Sequence, residues 1–326
     1  MSHLLEVKEL TTGFTGDYGK TISVDHVSFH VDEGEVVCLV GESGCGKSVT
    51  SLSIMGLLGR GGAVVDGSVL FDDKNLLSMT EKELDEIRGD QITMIFQDPL
   101  TSLNPVFTVG NQITESIRTH MHLSKEDARK RAENLLEKVG MPDAHGVMKK
   151  YPHTLSGGMR QRVMIAMALA CNPRLLIADE PTTALDVTIQ AQIMELLLQL
   201  QKETGMAMIL ITHDIGLVAN MADRVLVMYA GQIIEEAPAK ELFRSPKHPY
   251  TQALLNTVPT IRDSAERRLL AIPGIVPESY DDIRGCRFAD RCRFRRPECD
   301  HPQEDYQFED AHTAKCIVSR EGGIPS

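Results

Sequence analysis

The chain has 326 residues, of which 42% are hydrophobic and 25% are charged, so it can bury a sizeable core in one large domain or two smaller ones. Its 34 Lys and Arg against 46 Asp and Glu give a formal charge of −12, which argues against sequence-independent nucleic-acid binding as the main activity. The N-terminus lacks the basic start and apolar core of a signal peptide. The longest uncharged apolar stretch, between Arg162 and Arg174, is shorter than the roughly 20 residues of a membrane span. We therefore expect a cytosolic chain whose cysteines are reduced unless a metal binds them.

The first part of the chain predicts an α/β fold. Residues 4–10 and 24–31 alternate apolar and polar side chains, which is typical of strands in an antiparallel flank. Near-continuous apolar runs follow, and they indicate parallel strands covered by helices on both faces. These runs are residues 36–40, 92–96, 175–178 and 208–212. A hairpin that closes the sheet is predicted at the Ala230-Gly231 turn, within residues 224–235.

The middle of the chain, residues 99–170, has helical character. Ser124 is a suitable N-cap for a helix with acidic residues in its first turn, and Gly140 ends the apolar periodicity. After about residue 240 prolines interrupt any periodicity, and four of the seven cysteines lie between Cys286 and Cys316. The sequence thus predicts an α/β core with an antiparallel β flank, a helical insertion and a small Cys-rich C-terminal domain.

A phosphate-binding loop is predicted directly after the strand at residues 36–40. Residues 41–48 read Gly-Glu-Ser-Gly-Cys-Gly-Lys-Ser, and an apolar helix is expected over residues 49–58. The glycines let backbone N–H groups turn toward phosphates, Lys47 adds a positive charge, and the Ser48 hydroxyl can bind Mg²⁺. A chance Gly-rich turn would lack the flanking strand and helix. The predicted nucleotide-binding residues are Gly41, Glu42, Ser43, Gly44, Cys45, Gly46, Lys47, Ser48 and Val49.

Two carboxylates follow the apolar run at residues 175–178. Asp179 can hold Mg²⁺ through water, and Glu180 can orient or deprotonate the water that attacks a phosphate. An apolar strand that runs into Asp-Glu is by itself often only the start of a turn. Together with a phosphate-binding loop, the pair predicts a P-loop nucleoside triphosphatase.

A third segment distinguishes among the many enzymes that share those two motifs. Residues 155–161 read Leu-Ser-Gly-Gly-Met-Arg-Gln and precede a helix predicted over residues 159–170, so glycine amides and a hydroxyl lie at a positive helix end. With this segment the chain resembles the nucleotide-binding subunit of an ABC transporter, whose core is a P-loop fold of ABC type. In that family the segment closes over the γ-phosphate held by a second subunit. The resemblance implies that four residues act across such a dimer: Ser156, Gly157, Gly158 and Asp186.

Other positions match the family pattern individually. Gln97 resembles the glutamine that reaches Mg²⁺ and the attacking water, so that Ser48, Gln97 and Asp179 are the implied Mg²⁺ ligands. Asp186, which could also simply cap the following helix, resembles the residue that touches the facing subunit. His213 resembles the histidine that contacts the γ-phosphate. The resemblance makes Glu180, His213, Gln97 and Lys47 the catalytic set, and it makes Tyr18 the residue that stacks on adenine, with Phe14 as the alternative.

Three further segments are similar to one branch of the family, the importers of dipeptides, oligopeptides and nickel. These segments are residues 96–105, 151–154 and 245–255. This resemblance implies an ATPase that drives import from the cytoplasmic face of the membrane as a peripheral subunit. It also implies a second ATPase subunit, commonly a paralogue, together with two membrane-spanning permease subunits and an extracytoplasmic binding protein. Nucleic acid is not an expected partner.

Cysteines in the C-terminal part predict a metal site. Cys286, Cys292, Cys299 and Cys316 are spaced C-x5-C-x6-C-x16-C, which lacks the C-x2-C of a usual zinc ribbon and the common ferredoxin runs. Similarity to the importer branch implies a [4Fe–4S] cluster, while zinc, with His301 or His312 as a further ligand, and unliganded thiols stay open. Six arginines in the same stretch indicate either a nucleic-acid patch or charges that offset the thiolates: Arg284, Arg287, Arg291, Arg293, Arg295 and Arg296.

The expected division of the chain is an ABC ATPase core at residues 1–98 and 171–240, a helical subdomain at 99–170 and an extension at 241–326. The main alternative function is an ABC-type ATPase of translation or DNA repair that has no membrane partner. Such proteins usually carry two nucleotide-binding halves or a long coiled-coil insertion, whereas this chain has one phosphate-binding loop and a short insertion. A small-molecule kinase would leave Ser156–Gly158 and the cysteines unexplained.

Overall fold

A computed structural model describes residues 3–16, 19–98, 102–183, 185–257, 272–277, 279–280, 282–308 and 311–322. The strands are β1 (Leu5–Gly16), β2 (Gly19–Val31), β3 (Val36–Val40), β4 (Gly62–Phe71), β5 (Lys74–Asn75), β6 (Ile92–Ile95), β7 (Leu175–Asp179), β8 (Ala207–Thr212), β9 (Arg224–Tyr229), β10 (Gln232–Pro238), β11 (Tyr306–Gln307) and β12 (Thr313–Ala314). The helices are α1 (Lys47–Met55), α2 (Glu81–Ile87), α3 (Val109–Met121), α4 (Lys125–Lys138), α5 (Ala144–Val147), α6 (Gly157–Ala168), α7 (Val187–Thr204), α8 (Ile215–Met221), α9 (Ala239–Arg244), α10 (Pro249–Leu255) and α11 (Ile317–Arg320). Within these ranges, no helix combines the length and the apolar character that crossing a membrane requires.

The chain forms two units. The first contains Met1–Val31, Val36–Leu77 and Thr212–Ser326, and the second contains Asp32–Glu35 and Ser78–Ile211.

In the first unit, an antiparallel sheet has the strand order β2-β1-β4-β5. A second sheet places β3 parallel to β9, and β9 continues antiparallel through β10 and β12 to β11. Ala230 and Gly231 both have positive φ, at 45° and 82°, which suits the tight turn between β9 and β10. The predicted antiparallel flank and hairpin are therefore confirmed.

In the second unit, β6, β7 and β8 run parallel in that order. Every residue of β7 and β8 is buried, as expected for strands covered on both faces. Ser124 caps α4 by accepting a hydrogen bond from the N–H of Asp127, and the apolar face of α4 is buried at Ala128, Ala132, Leu135 and Leu136. This helix begins at the predicted residue.

Several predicted boundaries were wrong. The helix after the phosphate-binding loop begins at Lys47 and ends at Met55, because Gly56 adopts the left-handed conformation that ends helices. The first strand continues past Leu10 to Gly16 through irregular pairing with β2 and β4, and β4 itself was not predicted. The bulges break the two-residue alternation on which the prediction depended.

Candidate nucleotide-binding site

The phosphate-binding loop lies in the first unit, between the buried strand β3 and α1. Gly41, Gly44 and Gly46 all have positive φ, at 154°, 79° and 110°, a conformation that favours glycine. A Cβ atom on Gly41 would lie 2.2 Å from the carbonyl oxygen of Met228, and one on Gly46 would lie 2.7 Å from that of Ser23. A Cβ atom on Gly44 would meet nothing within 4 Å. The loop therefore packs tightly on one side and has open space at Gly44.

Lys47 begins α1 and points back into the loop. Its Nζ donates hydrogen bonds to the carbonyl oxygens of Gly41, at 2.8 Å, and Glu42, at 3.0 Å, and the residue is only 5% exposed. Burial raises the pKa of the Cys45 thiol although the nearby Lys47 ammonium lowers it, so this cysteine stays a neutral packing residue. The half-buried Ser48 follows in the first turn of α1. A cation and a helix N-terminus in one loop make an anion site.

The predicted catalytic carboxylates lie in the second unit, at the end of β7. Asp179 is its last residue and is 4% exposed. Glu180 has φ of 45°, a left-handed conformation that is unfavourable for a residue with a Cβ atom. Its Oε2 accepts hydrogen bonds from Gln97 Nε2, at 3.1 Å, and from Thr183 Oγ1, at 2.9 Å. The fold thus brings Gln97 and Glu180 into contact, and it adds Thr183, which the sequence analysis did not single out.

The Ser-Gly-Gly segment begins α6, also in the second unit. Ser156 is the N-cap, and its Oγ accepts a hydrogen bond from the N–H of Met159 at 3.4 Å. A Cβ atom on Gly157 would lie 3.2 Å from Leu185 Cδ2, and one on Gly158 would lie 3.0 Å from Ile189 Cγ2. Side chains on these glycines would therefore crowd the start of α7.

Asp186 caps α7, with its Oδ1 accepting from the N–H of Ile189 at 3.1 Å. The capping role foreseen for this residue is therefore present. His213, in the first unit, follows β8 and is exposed, and the next residue, Asp214, caps α8. Tyr18 lies outside the described residues, whereas its alternative, Phe14, lies half-buried in β1.

The four C-terminal cysteines converge in the first unit. Cys299 and Cys316 are buried in a small cluster with Ala289 and Val318, and Cys286 packs against it. Burial, with a smaller contribution from the neighbouring thiols of Cys299, Cys316 and Cys292, raises the pKa of the Cys286 thiol to about 12. In the described part of the chain, no three of the four sulfur atoms lie within 4.8 Å of one another. Sulfurs around one tetrahedral zinc, with Zn–S of about 2.3 Å, would be about 3.8 Å apart, so the arrangement is wider than a zinc site.

The residues around these cysteines differ from the prediction. His312, named as a possible zinc ligand, instead bonds Glu235 Oε1 through its Nε2 at 2.6 Å, and both side chains are buried. Four of the six arginines form ion pairs with carboxylates: Arg287 with Asp25, Arg291 with Glu42, Arg295 with Asp290 and Asp300, and Arg296 with Glu321. These four arginines therefore neutralise carboxylates. Burial raises the pKa of the Cys292 thiol, whereas the charge of Arg293 acts to lower it, as compensation of the thiolates predicts.

Comparison with known proteins identifies the family. The ABC transporter family profile matches residues 24–183, and that of the oligopeptide/dipeptide transporter C-terminal region matches residues 234–299. The chain is 52% identical to the oligopeptide transport ATP-binding protein AppD of Bacillus subtilis (strain 168), over 99% of both chains. It is also 52% identical to the dipeptide transport ATP-binding protein DppD of Escherichia coli (strain K12), over 91% of this chain and 90% of the relative. The chain belongs to the ABC transporter ATP-binding proteins.

Solved structures support the same cassette fold. The dimeric, ADP- and phosphate-bound post-hydrolysis state of the ATP-binding cassette MJ0796 superposes with a TM-score of 0.65 at 30% identity, covering 72% of this chain and 98% of that one. The structure of cbiO1 from Clostridium perfringens, part of the ABC transporter complex cbiONQ, gives a TM-score of 0.63 at 33% identity, covering 75% of this chain and 92% of that one. The predicted family, ABC-type core and ATP-hydrolysing activity are confirmed, and the alternative of an ATPase outside transport is not favoured.

Proposed function

We propose that this chain is the ATP-hydrolysing subunit of an importer of dipeptides or oligopeptides. The observation that carries the proposal is the identity of 52% over 99% of both chains to an oligopeptide transport ATP-binding protein. The match of residues 234–299 to the oligopeptide/dipeptide transporter C-terminal region supports it independently of the ATPase core. Related solutes such as nickel complexes are the competing cargo.

Each predicted catalytic residue has a role in the proposed hydrolysis step. Lys47 and the N–H groups of residues 41–49 hold the β- and γ-phosphates. The Glu180 carboxylate, oriented by Gln97 and Thr183, accepts a proton from the attacking water. The water oxygen bonds to the γ-phosphorus as the bond to the β–γ bridging oxygen breaks, which gives ADP and phosphate. His213 contacts the γ-phosphate and orients the water.

The oxygen donors suit magnesium. The Ser48 hydroxyl is half-buried at the start of α1, and the Asp179 carboxylate is buried at the end of β7. Hydroxyl, carboxylate and amide oxygens, here with Gln97, are the hard ligands that Mg²⁺ takes in nucleotide sites. When bound, the ion neutralises charge that develops on the β- and γ-phosphate oxygens.

A second ATPase subunit completes the proposed site. The exposed N-terminus of α6, at Ser156, Gly157 and Gly158, offers backbone amides and a hydroxyl to a γ-phosphate held by the facing subunit. Asp186, at the start of α7, would contact that subunit as well. Transporters of this branch commonly pair two different ATPases, so the expected partner is a paralogue.

The second unit offers a surface for permease subunits. Large apolar side chains are exposed at Phe96, Val106, Phe107 and Tyr151. A cavity of about 180 Å³ is lined by Phe96, Leu103, Met164 and Met167 among others. Exposed apolar groups of this size beside a cavity suit a short helix of a membrane protein. We propose that permease helices dock here, so that the chain is peripheral on the cytoplasmic face, with an extracytoplasmic binding protein delivering solute to the permeases.

We also propose that residues 241–326 form an extension that holds a [4Fe–4S] cluster, after the core at 1–98 and 171–240 and the helical subdomain at 99–170. Four thiols converge without being close enough for one zinc ion, which favours a larger group. Thiols with a raised pKa need the positive charge of iron to become the thiolates that bind it. The cluster, held by Cys286, Cys292, Cys299 and Cys316, would supply folding energy to a segment with a small core.

Reconstitution of the whole transporter tests the proposed cargo. The chain is co-expressed with the permease subunits, the second ATPase and the binding protein of its transporter, and the complex is placed in liposomes with labelled dipeptide and ATP on opposite faces. We expect peptide accumulation that requires ATP and fails with Lys47→Ala in this chain. Accumulation of nickel complexes without peptide uptake would show that nickel complexes, and not peptides, are the cargo. ATP hydrolysis with no transported solute would contradict the proposal that the complex is an importer.

A further inference from the structure

The C-terminal extension contacts the phosphate-binding loop within the first unit. Arg291 donates a bidentate pair of hydrogen bonds to the carboxylate of Glu42, the second residue of the loop, with Nη1 2.8 Å from Oε2 and Nη2 3.0 Å from Oε1. The Arg291 side chain is only 7% exposed, and Glu42 is 29% exposed. Bidentate arginine–carboxylate pairs of this kind fix geometry as well as charge.

A second contact holds the backbone of the same residue. The N–H of Glu42 donates to the hydroxyl oxygen of Tyr250 at 2.8 Å, and Tyr250 is completely buried in α10. The rings of Tyr250, Tyr229 and Phe288 pack at tilted or edge-on angles with centroids 4.7 to 5.4 Å apart. Arg291 Nη1 also reaches the Tyr229 hydroxyl at 3.2 Å. The extension therefore forms hydrogen bonds with both the side chain and the backbone of Glu42.

A third contact reaches the loop indirectly, through the turn between β9 and β10. Arg287 donates to the carbonyl oxygen of Ala230, at 2.5 Å, and pairs with the carboxylate of Asp25. The next residue, Gly231, donates its N–H to the carbonyl oxygen of Cys45 in the loop at 2.9 Å. The extension thus contacts the loop directly at Glu42. It also contacts the turn between β9 and β10, and that turn bonds the loop at Cys45.

The residue that the extension contacts, Glu42, also bonds Lys47, the predicted phosphate-binding lysine. The ammonium of Lys47 is held by the carbonyl oxygens of Gly41 and Glu42, so movement of the peptide between these residues would move the ammonium. The charge of Arg291 gives a second reason to expect that it affects nucleotide binding. A glutamate in a loop that binds polyphosphate repels its ligand unless a cation neutralises it, and Arg291 is placed to do so.

We propose that the extension is a support of the phosphate-binding loop and that Arg291 is a positioning residue for nucleotide binding, acting through Glu42 on Lys47. The inference goes beyond the transport function, because it holds whatever solute is carried. It also makes the extension, in which Arg291 directly precedes Cys292, a part of the chain that sets the affinity for ATP.

The test measures ATP affinity of the full-length purified chain and the hydrolysis kinetics of the assembled transporter. Arg291→Ala should weaken ATP binding about tenfold, as loss of a charged bidentate pair would, and raise KM more than it lowers kcat. Glu42→Gln breaks the same pair but also removes the repelling charge, so it should weaken ATP binding less than Arg291→Ala does. The double variant should bind ATP no more weakly than Arg291→Ala alone, because both changes remove one contact. The matched control is Arg295→Ala, because Arg295 is exposed and pairs with Asp290 and Asp300, which lie in the extension itself.

Each result bears on the proposal. Unchanged ATP affinity in folded Arg291→Ala would overturn it, as would an equal loss in Arg295→Ala. Additive losses in the double variant would show that Arg291 does not act through Glu42. Iron content and thermal stability of every variant are measured alongside, so that loss of a cluster is distinguished from loss of the contact with Glu42.

Discussion

Glu180 combines an unfavourable backbone conformation with a carboxylate held by two hydrogen bonds. Its positive φ costs on the order of 1 kcal/mol or more, and hydrogen bonds from Gln97 and Thr183 hold its carboxylate in one orientation. A carboxylate held in one orientation is what the proposed role of Glu180, orienting the attacking water, requires.

Replacing Glu180 with Gln should abolish turnover and preserve nucleotide binding. The amide keeps the size and the hydrogen bond to Thr183 but cannot accept a proton, so hydrolysis in the assembled transporter should fall about 100-fold or more. ATP affinity should stay within about twofold, because Lys47 and the loop amides are untouched. Phosphate release and nucleotide binding measure the two effects. Near-normal turnover would remove Glu180 from its proposed role.

Among the elements, those with a local pattern were predictable from the sequence. Strand β3, the N-cap of α4 and the carboxylates that end β7 each follow from a few neighbouring residues. The contacts of Glu42 with Tyr250 and Arg291 join residues 208 and 249 positions apart. Such pairs are selected by packing of the whole unit, and no periodicity in one sequence encodes them. The arginines were therefore noticed, but their partners were not.

His248, at the start of α10, should make the stability of the extension sensitive to mild acid. Burial lowers the pKa of His248 to about 4 although Glu235 raises it. Because the unfolded chain binds this proton near pH 6.5 and the folded chain does not, stability is complete above pH 6.5 and falls as the pH drops toward 4. We expect a loss on the order of 2 kcal/mol between pH 7 and pH 5.

Thermal unfolding of the chain and of His248→Asn over this range checks the effect. Asn keeps an acceptor for the N–H of Tyr250, which His248 Nδ1 now receives at 3.1 Å, but it does not titrate. The variant should therefore lose less stability in acid than the parent. Parallel pH profiles for the two proteins would assign the acid sensitivity to other groups.

The four-cysteine site should bind iron and stabilise the extension. Protein purified without oxygen should be brown and contain about four irons and four sulfides per chain. Cys286→Ser should remove the colour and lower the midpoint of thermal unfolding, since metal–thiolate bonds contribute folding energy to this small core. Cys171→Ser is the control, because Cys171 lies buried in the other unit. Metal analysis that finds one zinc per chain and no iron would show that the cysteines form a zinc site and not an iron–sulfur cluster.

At the scale of the whole molecule, the family predicted from the sequence is confirmed, whereas the assembly stays a proposal. Each motif is contiguous and can be recognised from local spacing, but the surface proposed to face another subunit is spread over α6 and the start of α7. Gly157 and Gly158 lie against Leu185 and Ile189, so side chains at these positions would crowd the neighbouring segment. The same glycines are the ones proposed to face a phosphate of another subunit, so packing and the proposed binding both favour small residues here.

Ser156→Arg tests the two-subunit arrangement. The added bulk should block closure of the exposed α6 N-terminus over a γ-phosphate, while loss of the cap costs α6 about 1 kcal/mol. ATP binding to this chain's own loop should therefore persist, and hydrolysis should fail only at the site whose phosphates belong to the partner. Complexes that carry Ser156→Arg in this chain, combined with an inactivating lysine substitution in either phosphate-binding loop, separate the two sites. Asn134→Arg, on the exposed face of α4, adds the same charge elsewhere as a control. A defect confined to the ATP bound by this chain itself would show that the Ser-Gly-Gly segment acts within its own subunit.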